Sequence, residues 1–188
     1  MRIIGGIARG TKLYTLEGTT TRPTLDRVKE SLFNIIQENV RDCLFLDLFS
    51  GSGAIALEAL SRGAKKAILC EKDKQAIDII RKNIEKTHMN GKAELHPISY
   101  EKFILNGLKE KPDIIFIDPP YKTDFAQNSI KILIEKNKID KDTLLIVETD
   151  EEERIVKEIE KMDVEIIDHR KYGRAHLIFI KYKMNGKG

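Results

Sequence analysis

A mostly parallel, seven-stranded α/β sheet with helices on both faces is the architecture predicted for this 188-residue chain, on three observations. From residue 43 onward, short apolar runs alternate with segments of helical period. The first strand-to-helix junction carries a glycine pattern, Gly51-x-Gly53-x-x-Ala56. The length suits one domain with a single core. Apolar residues make up 41% and charged residues 34%, which excludes a disordered chain. No window approaches eighteen uncharged apolar residues, so no membrane span is expected. The opening Met1–Gly6 has no apolar h-region, so no secretory signal is expected and a cytoplasmic enzyme is the class left open. Cys43 and Cys70 lie in apolar runs and are expected to pack as reduced thiols.

Taken in order, residues 2–13 read as a glycine-punctuated hairpin carrying Arg2, Arg9 and Lys12, followed by a polar loop from Thr15 to Arg22. A helix is predicted over 24–38, with Thr24 as N-cap, Asp26 in the first turn, and Leu25, Val28, Leu32, Ile35 and Ile36 on its apolar face. Strands are expected at 43–49, 67–71, 93–98, 113–118 and 143–148. Helices are expected at 54–61, 73–87, 100–108, 124–135 and 150–161. Strands at 164–168 and 176–183 close the chain, one of them antiparallel because no helix intervenes. Met184–Gly188 is expected to fray.

The formal charge of +3 conceals an asymmetry: residues 1–41 carry a net +3, 42–165 a net −5 and 166–188 a net +5. Basic ends on an acidic body suit a polyanionic partner, although a solvated surface gives the same count. His88, His96, His169 and His176 lack metal-ligand spacing, and no Cys/His cluster exists in the sequence, so no metal is expected.

Two motifs carry the chemistry. At the first junction, the glycines allow backbone to approach a ligand, and the helix beyond presents free N–H groups. Glu71 closes the second strand twenty positions after Gly51, where a carboxylate can accept both ribose hydroxyls of an adenosine. This pair fits NAD, FAD or S-adenosylmethionine, or a tight turn beside a stray glutamate. Asp47, inside the strand end, favours S-adenosylmethionine, whose ammonium group needs a paired anion. The second motif is Asp118-Pro119-Pro120-Tyr121 at the end of the fourth strand. Two prolines stiffen the loop and remove two N–H donors, leaving carbonyl acceptors. Asp118 adds a carboxylate and Tyr121 an aromatic face. Together they can hold the exocyclic amine of a flat base and stack on its ring. Hydrogen bonds to Asp118 and a carbonyl would turn the amine's lone pair out of the ring plane, toward the methyl donor.

These residues resemble the Rossmann-type class I S-adenosylmethionine-dependent methyltransferases with a DPPY motif, and among them the RsmD family. The opening hairpin 2–13, Thr21-Arg22-Pro23-Thr24 with Arg27-Val28-Lys29-Glu30, and the closing Lys171-Tyr172-Gly173 extend the resemblance over nearly the whole chain. It implies methyl transfer to guanine N2 of 16S rRNA, in a small ribosomal subunit or an assembly intermediate, by a cytoplasmic monomer. It implies one domain over 1–188, with an RNA-binding hairpin and helix at 1–41 and a catalytic core at 42–183. Asp47, Phe49, Ser50, Gly51, Gly53, Glu71, Lys72, Ser99 and Asp118 would bind the cofactor, and Asp118, Pro119, Pro120 and Tyr121 would form the acceptor site. Arg2, Arg9, Lys12, Arg22 and Thr24 would meet RNA. Ser99 departs from the pattern, since many relatives carry Asp or Asn there. Two rival readings are a DNA adenine-N6 methyltransferase, which lacks room here for a target-recognition domain, and an RNA-binding protein with a vestigial cofactor fold.

Overall fold

The structure is a computed structural model describing residues 1–16 and 23–183, with the side chains of 23–25 outside that description. Helix α1 (Pro23–Ile35) and the single turn α2 (Gln37–Val40) precede the alternating elements. These are β1 (Leu44–Asp47), α3 (Ala54–Ser61), β2 (Lys66–Cys70), α4 (Lys74–Lys86), β3 (Ala93–His96) and α5 (Tyr100–Lys102). Then come β4 (Ile114–Ile117), α6 (Phe125–Glu135), β5 (Leu144–Thr149), α7 (Glu152–Ile159), β6 (Val164–Tyr172) and β7 (Ala175–Tyr182). Helix α5 runs into a wider π turn, Phe103–Gly107. The sheet order is β3-β2-β1-β4-β5-β7-β6. Strands β1 to β5 are parallel, and β7 inserts antiparallel between β5 and β6. Strand order reverses between β1 and β4, the switch point at which open α/β sheets form a crevice.

Period-2 alternation divides the apolar residues between two layers. Phe45, Ala67, Leu69, Phe116 and Ile146 face α1, α3 and α4. Leu46, Ile68, Ile115, Ile117 and Val147 face α5, α6 and α7. Both cysteines are buried free thiols. No helix among the described residues is long and apolar enough to cross a membrane.

Three local expectations change. Helix α1 starts at Pro23, so Thr24 lies inside the first turn rather than at the cap; the fixed φ of proline suits the first helical position. Ile35 is 37% exposed because the helix ends there and Ile36 enters the core instead. The opening hairpin forms a single Arg2–Lys12 bridge instead of a ladder, since the N–H groups of Ile4, Gly5, Ile7 and Ala8 are claimed by Glu58 and Ser61 of α3. The polar loop at 17–22 and the tail at 184–188 lie outside the described residues.

The attachment of that hairpin centres on Glu58 of α3, which is fully buried. Its carboxylate accepts from the backbone N–H of Ile4 and of Gly5, each at 2.8 Å, and from Arg62 Nε at 2.8 Å. Lys29 of α1 pairs with it at 3.3 Å and donates to the Arg2 carbonyl. Burial pulls the Lys29 ammonium below its ordinary range, against the pull of Glu58. Gly6 (φ 76°) packs on the Ser61 carbonyl so closely that an added Cβ would lie 1.7 Å from it. Removing one partner of a buried ion pair leaves the other uncompensated, at a cost of about 3–5 kcal/mol. Glu58→Ala is therefore expected to lose stability on that scale in urea unfolding, and a loss below ~1 kcal/mol would show that Lys29 finds water instead.

Candidate functional site

The C-terminal ends of β2, β1, β4 and β5 each deliver a carboxylate: Glu71, Asp47, Asp118 and Glu148. Register explains the arrangement. Asp47 pairs with Phe116, and Phe116 with Ile146, so Asp118 and Glu148 lie two residues farther along their own strands. They border a cleft of two lobes that meet at Phe49, Gly51 and Asp118. One lobe, about 280 Å³, is lined by Asp47, Ser50, Asp118, Glu148, Lys29 and Leu16 among others. The second, about 350 Å³, is lined by Glu71, Lys72, Ile98, Ser99, Tyr100 and the Asp118–Tyr121 loop.

Asp47 is 1% exposed and accepts a long hydrogen bond, 3.3 Å, from the Phe49 N–H, with a weaker one from the Ala56 N–H. Burial, ahead of the neighbouring carboxylates of Asp118 and Glu71, pushes its carboxyl up to about 8. Among the described residues no Lys or Arg pairs with it. A buried carboxyl that faces a cavity and has no cation beside it matches a ligand that brings one and lets it ionise, and the ammonium of S-adenosylmethionine is such a group. The loop beside it leaves room. Gly51 (φ 53°) has open space where a Cβ would be, and Gly53 (φ 78°) packs within 3.1 Å of Leu69 at the same point. Ser50 turns its hydroxyl back onto the Asp47 carbonyl at 3.0 Å.

Glu71 has more to do than its sequence position suggests. Its carboxylate accepts from the N–H groups of Gly51 (2.9 Å), Lys72 (2.7 Å) and Asp73 (2.9 Å). One of its four lone-pair directions thus holds the glycine loop and two hold the turn after β2, which leaves one for a ribose hydroxyl. Asn83 of α4 acts on the same loop: its amide donates to the carbonyls of Ser52 (2.9 Å) and Tyr14 (3.0 Å), and its oxygen accepts from the Tyr14 N–H (2.8 Å). Thr15 and Leu16 are thereby held along the wall of the smaller lobe.

Around the larger lobe, Phe49, Tyr100 and Phe125 cluster with ring centroids 5.0–6.2 Å apart, and Lys72 lies 5.5 Å over Phe125. An apolar, aromatic lobe with a carboxylate at its rim suits a nucleoside. Ser99 borders it but caps α5, accepting from the Lys102 N–H at 3.4 Å. In the adjoining loop, the Pro120 carbonyl expected to be a free acceptor is taken by Thr123 Oγ1 at 2.8 Å. Arg154 holds the loop's far end through the Thr123 carbonyl (2.5 Å) and Asp124 (3.0 Å). Tyr121 is 76% exposed at the lip. Asp118 is open to water at the cleft. The protein packed around it, and then Glu148 and Asp150, hold its carboxyl above the usual range, and water access moderates that rise.

The structure thus brings Asp47, Phe49, Ser50, Gly51, Glu71, Lys72, Ser99 and Asp118–Tyr121 to one cleft, with Gly53 behind the loop. Arg2, Arg9 and Lys12 lie apart on an open groove of about 720 Å³ shared with Asp26, Arg27 and Glu30. Arg22 lies outside the described residues, as does the side chain of Thr24. Sequence reasoning missed Glu148, Asn83 and Lys29. Glu148 carried a legible signal, since it ends an apolar run as Asp47 and Asp118 do. The histidines hold one surprise: His169 Nε2 and His176 Nδ1 approach to 2.9 Å beside Glu152, so β6, β7 and α7 bring together three groups able to ligate a metal that the sequence spacing did not show.

A parallel sheet with this switch-point cleft and carboxylate row defines a class I S-adenosylmethionine-dependent methyltransferase. The family model described as "Conserved hypothetical protein 95" matches residues 1–181. The chain is 36% identical over 158 residues to the ribosomal RNA small subunit methyltransferase D of Haemophilus influenzae, covering 83% of this chain and 82% of that one. It is 37% identical over 153 residues to the protein of the same name from Escherichia coli K12, covering 81% and 76%. Among solved structures, Escherichia coli yhhF superposes with a TM-score of 0.81 at 28% identity, covering 97% of this chain and 98% of that one. The chain belongs to this family, the RsmD-type methyltransferases.

The Asp47 geometry carries a pH signature. The fold holds the Asp47 proton more tightly than the unfolded chain does, so this carboxyl's contribution to stability is complete in acid and is lost as pH rises through about 8. Asp47→Asn cannot ionise. The ligand-free variant is expected to melt above the wild-type protein near pH 9, by about 2–4 °C per kcal/mol relieved, with the gap closing toward pH 5. The same variant should bind S-adenosylmethionine at least about tenfold more weakly in calorimetry. Equal melting curves at pH 9 would show that Asp47 is not strained by burial.

Proposed function

We propose that the protein transfers a methyl group from S-adenosylmethionine to the exocyclic N2 of a guanine in 16S rRNA. The observation that carries this reading is the position of Asp118. It stands on a proline-stiffened loop, shares one cavity with the unpaired Asp47 carboxyl, and is open to solvent. The names of the curated relatives supply the rRNA, and the family supplies the guanine.

S-adenosylmethionine supplies a methyl on a positively charged sulfur, whose S–C bond breaks as the N–C bond forms. The rest is the work of this chain. Asp47 holds the ammonium group, Gly51 lets the protein backbone approach the ligand while Gly53 shapes the loop from behind, and Glu71 has one acceptor direction left for ribose. The lobe of Phe49, Tyr100 and Phe125 takes the adenine, with Ser99 and Lys72 at its edge. Asp118 accepts an N–H of the incoming amine. The Pro119 carbonyl, which accepts no hydrogen bond among the described residues, takes the other. These bonds free the nitrogen lone pair to point at the methyl. Asp118, held above the usual carboxylate range, accepts the proton that the nitrogen loses. Tyr121 at the lip stacks on the base.

Arg2, Arg9 and Lys12 on the exposed hairpin grip phosphates, with Arg22 and Thr24 of the neighbouring segment. Such small basic elements position RNA without reading its bases. We therefore assign 1–41 to RNA docking and 42–183 to catalysis within one domain. The substrate is a structured loop of a partly or fully assembled small subunit, met by a monomer in the cytoplasm.

Asp118→Ala is expected to lower single-turnover methylation of purified small subunits at least about 100-fold while cofactor affinity is kept. Near wild-type rates would assign the amine to another group. Neutralising Arg9 and Lys12 together should flatten the salt dependence of RNA binding and leave cofactor titrations unchanged. Digestion of methylated 16S rRNA and of DNA decides the product: N2-methylguanosine supports the reading, and N6-methyladenine in DNA overturns it.

A further inference from the structure

The methyl acceptor pocket contains one carboxylate more than methyl transfer requires. Glu148 ends β5 next to Asp118, because Ile117 and Val147 are register partners and each carboxylate follows directly. Both line the smaller lobe with Asp47. Among the described residues Glu148 has no hydrogen bond and no ion pair, although its side chain is half-buried and its strand is locked between β4 and β7. A half-buried carboxylate held in a cavity wall by a central strand, and bonded to none of these residues, is aimed at something that enters.

The chemistry of the entering group follows from the charge. An ionised carboxylate only accepts hydrogen bonds. Burial, and for Asp118 also the Glu148 charge, holds both carboxyls above the usual range while the pocket is empty, and a ligand that brings N–H donors on neighbouring atoms favours their ionised, acceptor-only form. Guanine offers N1–H and the two hydrogens of N2 along one edge. Adenine offers its 6-amino group next to N1, which is an acceptor, and would set a lone pair against the carboxylate.

We propose that Glu148 is the specificity-determining residue of the acceptor pocket, its carboxylate accepting from N1–H of guanine while Asp118 and the Pro119 carbonyl hold the two N2 hydrogens. This rests on the guanine-N2 reading above, and it assigns that selectivity to a residue outside the proline loop. The loop positions an amine; Glu148 decides which base carries it. A site that hydrogen-bonds a substrate N–H rejects an analogue lacking it far more strongly than an apolar pocket rejects a missing methylene.

The test uses small-subunit particles reconstituted with 16S rRNA that carries either guanine or 2-aminopurine at the target position. 2-Aminopurine keeps the accepting amine and replaces N1–H by a lone pair. The wild-type protein is expected to methylate the 2-aminopurine particle at least about tenfold more slowly than the guanine particle. Glu148→Gln should narrow or reverse that ratio, because the amide can donate to the N1 lone pair of 2-aminopurine. Glu148→Asp, which keeps an acceptor-only group, should preserve the guanine preference at a reduced rate. Calorimetric titration of each variant with S-adenosylmethionine reports whether the fold and the cofactor lobe are intact. An unchanged ratio in a cofactor-binding Glu148→Gln variant overturns the proposal. If that variant does not fold, loss of the preference in Glu148→Asp overturns it instead. A wild-type protein that forms no N2-methylguanosine on the guanine particle overturns the functional reading itself, a separate result.

Discussion

Four carboxylates at one edge of a parallel sheet are the constraint from which the site follows. Parallel strands end on the same side, and the reversal of strand order between β1 and β4 opens the crevice there. Any acidic residue that ends an apolar strand is delivered into it. Glu71 is quenched by three backbone N–H groups. Asp47, Asp118 and Glu148 have no cationic partner among the described residues, and their mutual repulsion disfavours full ionisation. The ligand-free protein therefore holds a crevice of carboxyls kept from ionising, and a cationic cofactor beside a base rich in N–H donors is its complement. The binding energy and the choice of substrate come from one electrostatic arrangement.

A second set of buried polar residues makes that arrangement rigid. Glu58 and Lys29 fasten the N-terminal hairpin to α3, the helix that begins at the glycine loop. Asn83 fastens Tyr14 to the same loop from the other side. Met1, Thr15, Leu16 and Lys29 consequently form a wall of the smaller cofactor lobe. The segment bearing Arg2, Arg9 and Lys12 is thus continuous with the wall that faces Asp47, which places the proposed RNA grip and the reacting atoms on one stiff unit.

Much of this was legible in the sequence, because strong local signals agreed with the tertiary result. The alternation from residue 43 set out all seven strands, and the Gly51–Gly53 and Asp118–Tyr121 motifs mark the junctions that do line the cleft. Boundaries shifted by one to four residues, in one case because an end residue turned into a cap, as Asp73 did. What stayed hidden was pairing across long sequence separations. Glu58 in an alanine-rich helix gives no sign that residues 4, 5, 29 and 62 converge on it. Glu148 reads as the end of an ordinary strand until register sets it beside Asp118. The engagement of Glu71 by the glycine loop and of the Pro120 carbonyl by Thr123 likewise depends on loop geometry that composition does not encode.

The central claim is that Asp47 waits protonated for a cation and ionises when one arrives. Calorimetry of S-adenosylmethionine binding at pH 7, repeated in buffers of different ionisation enthalpy, measures this directly. A carboxyl that stands at about 8 when free and is paired with an ammonium when bound should release most of one proton per site. Binding with no net proton exchange would mean that Asp47 is already ionised in the free protein, and would contradict the account.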